Sequence, residues 1–136
     1  MSGSITFPRS ALDKAFTYVK LEILVDEDLS EGFVINEGAR PLDLTGKRLE
    51  LWCRPTFDHS TLIKKLTSDP SAGKTIYFDD PLKGAVSMVM PQIKVAAAFV
   101  PGVWKHFLRL SDDYSAQSPV REIWRGDLIV HPGRVA

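Results

Sequence analysis

Gly73-Lys74-Thr75 is the stretch of this sequence nearest to a phosphate-binding loop. That chemistry needs a glycine five residues before the second glycine and a helix behind it, so that amide groups and the helix dipole face the phosphates. Ser68 stands where the first glycine belongs, and Thr75-Ile76-Tyr77-Phe78 has the β-branched and aromatic character of a strand. The triplet therefore reads as a turn with a solvated lysine. Three histidines, His59, His106 and His131, lack the spacings that converge imidazoles on a metal. His106 reads as a semi-buried strand residue with a hydrogen-bond partner, His59 and His131 as loop residues. The acidic clusters Asp26-Glu27-Asp28 with Glu31, and Asp79-Asp80, lack the ordered oxygen ligands of a calcium loop, and solvated turns account for them. No serine sits in Gly-x-Ser-x-Gly. Cys53 alternates with leucines and reads as a packed, inert thiol. No catalytic residue, cofactor site or metal site is expected, and the chain does not read as an enzyme.

The elements that must position these residues follow from a period-two alternation broken every eight to twelve or so residues by Gly, Pro, Asp or Asn, the pattern of a β-sandwich or barrel. Strands are expected at Phe16 to Val25, Gly32 to Asn36, Lys47 to Arg54, Leu62 to Thr67, Thr75 to Phe78, Ala85 to Met90, Gly102 to Leu110 and Glu122 to Val130. Leu49, Leu51 and Cys53 share one face of the third, with Glu50, Trp52 and Arg54 on the other. Trp104, His106, Leu108 and Leu110 face inward, as do Trp124, Gly126, Leu128 and Val130. Pro91 to Phe99 is the one short helical candidate, since proline suits a first turn and Ala96-Ala97-Ala98 a helix interior. A sugar-stacking platform of tryptophans is disfavoured, because Trp104 and Trp124 fall in inward registers. Trp52 stands on the opposite face, either in a second buried layer or exposed at an interface.

With 136 residues, 44% of them hydrophobic and 25% charged, the chain can bury a core without disulfide or metal. Seventeen basic residues balance seventeen acidic ones, so no summed field draws it to nucleic acid or an anionic membrane. A single cysteine suits a reducing compartment. The first residues lack the basic start and apolar run of a secretory signal, and nothing approaches the ~18 apolar residues of a membrane span.

Residues 1–15 stand apart as an N-terminal arm, with the sandwich domain over 16–136. Ser4 to Pro8 is too short and Pro-broken for a central strand, and Ser10 could cap one helical turn. The arm is either a frayed terminus or a docking segment, in which case Ile5, Phe7, Leu12 and Phe16 are its interface residues, joined by Trp52.

Four segments carry a resemblance to a known family. They are Pro41-Leu42-Asp43-Leu44-Thr45-Gly46-Lys47 leading into the Leu49-Leu51-Cys53 strand, Gly84-Ala85-Val86-Ser87-Met88-Val89-Met90-Pro91, Pro101-Gly102-Val103-Trp104-Lys105-His106-Phe107-Leu108-Arg109-Leu110, and Glu122-Ile123-Trp124-Arg125-Gly126-Asp127-Leu128-Ile129-Val130-His131-Pro132. In this order they resemble the small immunoglobulin-like module of tailed bacteriophages related to the N-terminal domain of upper baseplate proteins, which ties receptor-binding fibres to the virion. The likeness covers about three-quarters of the chain; the arm is extra, and no fibre shaft or receptor-binding domain follows.

The resemblance implies an all-β, immunoglobulin-like sandwich of about eight mostly antiparallel strands with one short helical turn. It also implies a virion structural protein, assembled in the host cytoplasm and acting as an adaptor in the baseplate, collar or tail. Its partners would be other phage structural proteins, in an oligomeric arrangement within the particle, with no nucleic acid, membrane or small-molecule ligand. A capsid-surface decoration protein and a carbohydrate-binding module are the alternatives.

Overall fold

The computed structural model describes residues 2–7, 17–55, 64–115 and 117–132. Alternation dictates most of what is seen. In β6 (Arg48–Arg54), Leu49, Leu51 and Cys53 are buried while Arg48, Glu50, Trp52 and Arg54 are half-buried on the other face. The same period runs through β9 (Ala85–Met90), β10 (Gly102–Ser111) and β11 (Val120–His131). These strands, with β1 (Ser2–Phe7), β2 (Thr17–Tyr18), β3 (Leu21–Leu24), β4 (Leu29–Glu37), β5 (Arg40–Pro41), β7 (Lys64–Thr67) and β8 (Ile76–Asp80), form two sheets. Sheet A runs β1-β4-β9-β8 with β5 on β4; sheet B runs β2-β11-β10-β6-β7 with β3 also on β11.

The fold is thus an all-β sandwich, with more strands than expected because the sequence's first strand divides into β2 and β3, β5 adds a two-residue hairpin return, and Ser2–Phe7 is extended. Three pairings are parallel, β1 with β4 and both β2 and β3 with β11; the others are antiparallel. Residues Ser2–Phe7, placed in an arm by the sequence, line up in register from Ser2 opposite Gly32 to Phe7 opposite Glu37. They lie at the sheet's edge, where a strand is bonded on one side and a following proline is tolerated.

Between the sheets lies one core. Trp124 is at its centre, edge-on to Phe33 at 5.9 Å between centroids. Trp104 packs edge-on to Phe99 at 5.4 Å and donates its Nε1–H to the Val100 carbonyl at 2.9 Å, so the indole is buried without an orphaned donor. Helix α1 (Gln92–Ala98) spans the gap between β9 and β10 and buries Val95. The helix start is held from across the fold, since Asp28 Oδ1 accepts the Gln92 amide at 2.7 Å.

Two glycines are required by close approach. Gly84 turns the chain into β9 at φ 66°, and a Cβ there would stand 2.3 Å from the Ile35 carbonyl oxygen. At Gly126 a Cβ would stand 1.7 Å from the carbonyl oxygen of Val19, which with Lys20 joins β2 to β3.

Candidate protein-interaction face

The outer face of sheet B is built by register. Lys65, Trp52, Phe107 and Arg125 stand in one row across β7, β6, β10 and β11. The next row holds Thr67, Glu50, Arg109 and Glu122, and the row on the other side Arg54, Lys105 and Asp127. A bulge between Leu108 and Arg109 makes the last alignment work: Ile123 and Trp124 are both buried, and Glu122 stays on the outer face opposite Arg109.

Cations cover the aromatic centre. Lys65 Nζ lies 4.1 Å and the Arg109 guanidinium carbon 4.0 Å from the Trp52 ring centroid, and they come from the strands on either side of β6. Arg54 reaches both Trp52 and Phe107, at 5.7 and 5.8 Å, and Arg125 reaches Phe107 at 5.5 Å. Each such contact is worth about 0.5–1 kcal/mol at an exposed site. The carboxylates are engaged within the face. Glu50 accepts from Trp52 Nε1 at 3.2 Å and Thr67 Oγ1 at 3.4 Å, Arg125 pairs with Glu122 at 2.9 Å, and Lys105 pairs with Asp127. Between these side chains runs a trough of about 560 Å³, with Val120 exposed at its rim.

Trp52, left by the sequence between a buried layer and an interface, is therefore half-buried beneath cations on an outer face. Ile5 and Phe7 belong to β1, and Leu12 and Phe16 lie outside the described residues, as does His59. Phe107, Arg109 and Arg125 were assigned outward registers but not recognised as a cluster. The available signal was an aromatic followed two residues later by arginine, at Trp52-Cys53-Arg54 and again at Phe107-Leu108-Arg109, since residues two apart share a face.

The residues that invited catalytic readings are placed elsewhere. His106 is buried, not semi-buried. Trp124 Nε1 can only donate, and it reaches His106 Nδ1 at 3.2 Å, so Nδ1 is the bare nitrogen and Nε2–H donates to the Val19 carbonyl at 2.6 Å. Burial pushes this imidazole down to about 4, outweighing the opposing pull of the Val19 carbonyl and the Asp127 carboxylate. Burial likewise pushes the Cys53 thiol well above its ordinary value, which removes the thiolate that a nucleophile needs. His131 Nε2 lies 3.3 Å from Glu22 at the surface. Gly73 ends a short turn at Pro70–Ala72, and Lys74 leans over Tyr77 at 5.0 Å. Among the described residues, no three His, Cys, Asp or Glu side chains come together as a metal site. An apolar cavity of about 350 Å³, lined by Cys53, Leu66, Met88 and Leu128 among others, opens between the sheets near Glu22 and Glu31.

No family model matches the chain, and no curated protein does. Among solved structures, the N-terminal domain of ORF48 of phage TP901-1 is similar along nearly the whole length, covering 96% of this chain and 99% of that one at 14% identity, with a TM-score of 0.55. The cysteine protease inhibitor EhICP2 of Entamoeba histolytica matches at 11% identity over 96% of this chain and 97% of that chain, with a TM-score of 0.39. AggA, the major subunit of aggregative adherence fimbriae type I of Escherichia coli, matches at 11% identity over 84% and 90%, with a TM-score of 0.32.

Proposed function

We propose that this chain is a structural protein of a tailed-phage virion, an adaptor in the baseplate, collar or tail that joins fibres or neighbouring subunits through protein contacts. The observation that carries the reading is the end-to-end correspondence of this chain with a domain of a phage protein. It agrees with the resemblance to upper baseplate proteins in the four segments between Pro41 and Pro132. Support for an immunoglobulin-like sandwich comes from strand order. Taking β1, β4, β6, β7, β8, β9, β10 and β11 as A, B, C, C′, D, E, F and G gives an ABED order against C′CFG, departing from it in that β1 runs parallel to β4.

Contacts with other virion proteins and with further copies of this chain would use Trp52 and the N-terminal residues Ile5, Phe7, Leu12 and Phe16. The sugar-stacking alternative is disfavoured, because cations already occupy the Trp52 ring that a sugar would need. Among the described residues, no helix is long and apolar enough to cross a membrane. Purified virions analysed by mass spectrometry should contain the chain, and labelling it in intact particles should place it on the tail rather than the capsid. Its absence from particles would end this reading, and a capsid position would make it a decoration protein.

A further inference from the structure

We infer that the outer face of sheet B receives an acidic segment of a partner protein, whose carboxylates meet the arginine edges around Trp52 and Phe107. The inference deepens the adaptor reading and rests on it for the identity of the partner, though not for its chemistry.

Charge is the first argument. Around Trp52 and Phe107, the rows of described residues place Arg54, Lys65, Lys105, Arg109 and Arg125 with Glu50, Glu122 and Asp127, and Glu22 stands further out on the same face beside Ile129. Glu50, Glu122 and Asp127 already accept from Trp52, Thr67, Arg125 and Lys105, and Lys65 and Arg109, both lying over Trp52, bring positive charge to an incoming group. Geometry is the second. The Arg109 guanidinium carbon lies 4.0 Å from the Trp52 ring centroid, and a guanidinium held over a ring is weakly hydrated and keeps N–H donors for a carboxylate. The trough of about 560 Å³ is lined by Trp52, Phe107 and three arginines, and exposed Val120 offers an apolar contact beside the charges. An aromatic pair ringed by arginines is also the composition that dominates protein interfaces. A nucleic-acid backbone fits less well, because the three interleaved carboxylates would repel its phosphates and the whole chain has no net charge.

Carbodiimide treatment of virions joins lysine ammonium groups to touching carboxylates, and mass spectrometry maps the products. Cross-links from Lys65 or Lys105 to Asp or Glu of a different virion protein are expected. Where the chain is present in virions, cross-links to a second copy of this chain, or none, would overturn the inference. With the purified chain, polyglutamate is the probe, alongside oligothymidylate and polygalacturonate. Polyglutamate should bind best, at least about ten-fold more weakly at ~300 mM than at ~50 mM salt. Arg109→Glu should abolish binding, with circular dichroism checking the fold, and Arg109→Gln should weaken it where the reversal fails to fold. Preference for the phosphate or uronate polymer, or unchanged binding in the folded Arg109 variants, would refute the acidic-protein assignment. A chain missing from virions would defeat the adaptor reading alone, and the polyglutamate arm would still decide this one.

Discussion

Acidification should destabilise this protein through one histidine. The ring of His106 is buried and neutral, bridging Trp124 Nε1–H and the Val19 carbonyl. Its folded value lies at about 4 against an unfolded value of 6.5. Above pH 6.5 both states are neutral and the full stability is present. As pH falls from 6.5 towards 4 the unfolded chain takes up a proton that the folded one refuses, and stability is lost at up to about 1.4 kcal/mol per pH unit. The loss is about 2–3 kcal/mol by about pH 4.5 and levels off at about 3 kcal/mol below the folded value. Protonation also puts a hydrogen on Nδ1, where it opposes the Trp124 donor. Urea titrations followed by tryptophan fluorescence at about pH 7.5 and about pH 4.5 measure the drop, and His106→Gln provides the control, since surface carboxylates titrate equally in both proteins. The wild-type drop should exceed the variant's by about 2–3 kcal/mol. Equal drops would mean that the imidazole is not held neutral and that the tautomer assignment is wrong.

Gly126→Ala places a methyl group 1.7 Å from the Val19 carbonyl oxygen, which no side-chain rotation relieves, and should cost about 3 kcal/mol or more in urea unfolding. Unchanged stability would show that Val19 does not lie over this position. Trp104→Ala empties a buried, hydrogen-bonded site and should cost ~3–5 kcal/mol; a loss under about 1 kcal/mol would contradict the register of β10. Cys53, buried and with its thiol pushed up by burial, should react with an aromatic disulfide reagent far more slowly in native protein than in denaturant. Comparable rates would indicate that the cavity beside it opens freely to solvent.

Where strands are buried on one face, the sequence was enough. Leu49 and Leu51, placed on one face by alternation, and Trp104, Leu108, Leu110, Trp124, Leu128 and Val130, turned inward by it, are all buried. Glycine and proline marked the turn at Gly84 and the short helix after Pro91. What alternation cannot supply is which strand lies beside which. The break at Val19 and Lys20 was invisible because it is set by a glycine and a histidine more than eighty residues downstream, and nothing between Phe16 and Val25 signals a stop. The pairing of Ser2–Phe7 with β4 was hidden for a related reason, since a short segment ending in Pro8 acquires its ladder only from a neighbour. The candidate face was half legible: the outward register of Trp52 was read, but its cover of Lys65 and Arg109 depends on how β7 and β10 align with β6.

The parallel seam between β3 and β11 sets the order in which this sandwich can be made. Leu21 bonds in register with Leu128 and Leu24 with His131, so a stretch synthesised near the beginning waits for one that leaves the ribosome more than a hundred residues later. Pairings of such sequence separation carry a large loop-closure cost and slow folding. At a synthesis rate of roughly 5–20 residues per second, β4, β8 and β9 can associate for several seconds while sheet B still lacks β11, with Trp104 and Leu108 lacking their partners on it. The domain therefore closes last at its own first quarter, and the half-built sheet is the stage at which a chaperone or an assembly partner would find unfinished edge to grasp.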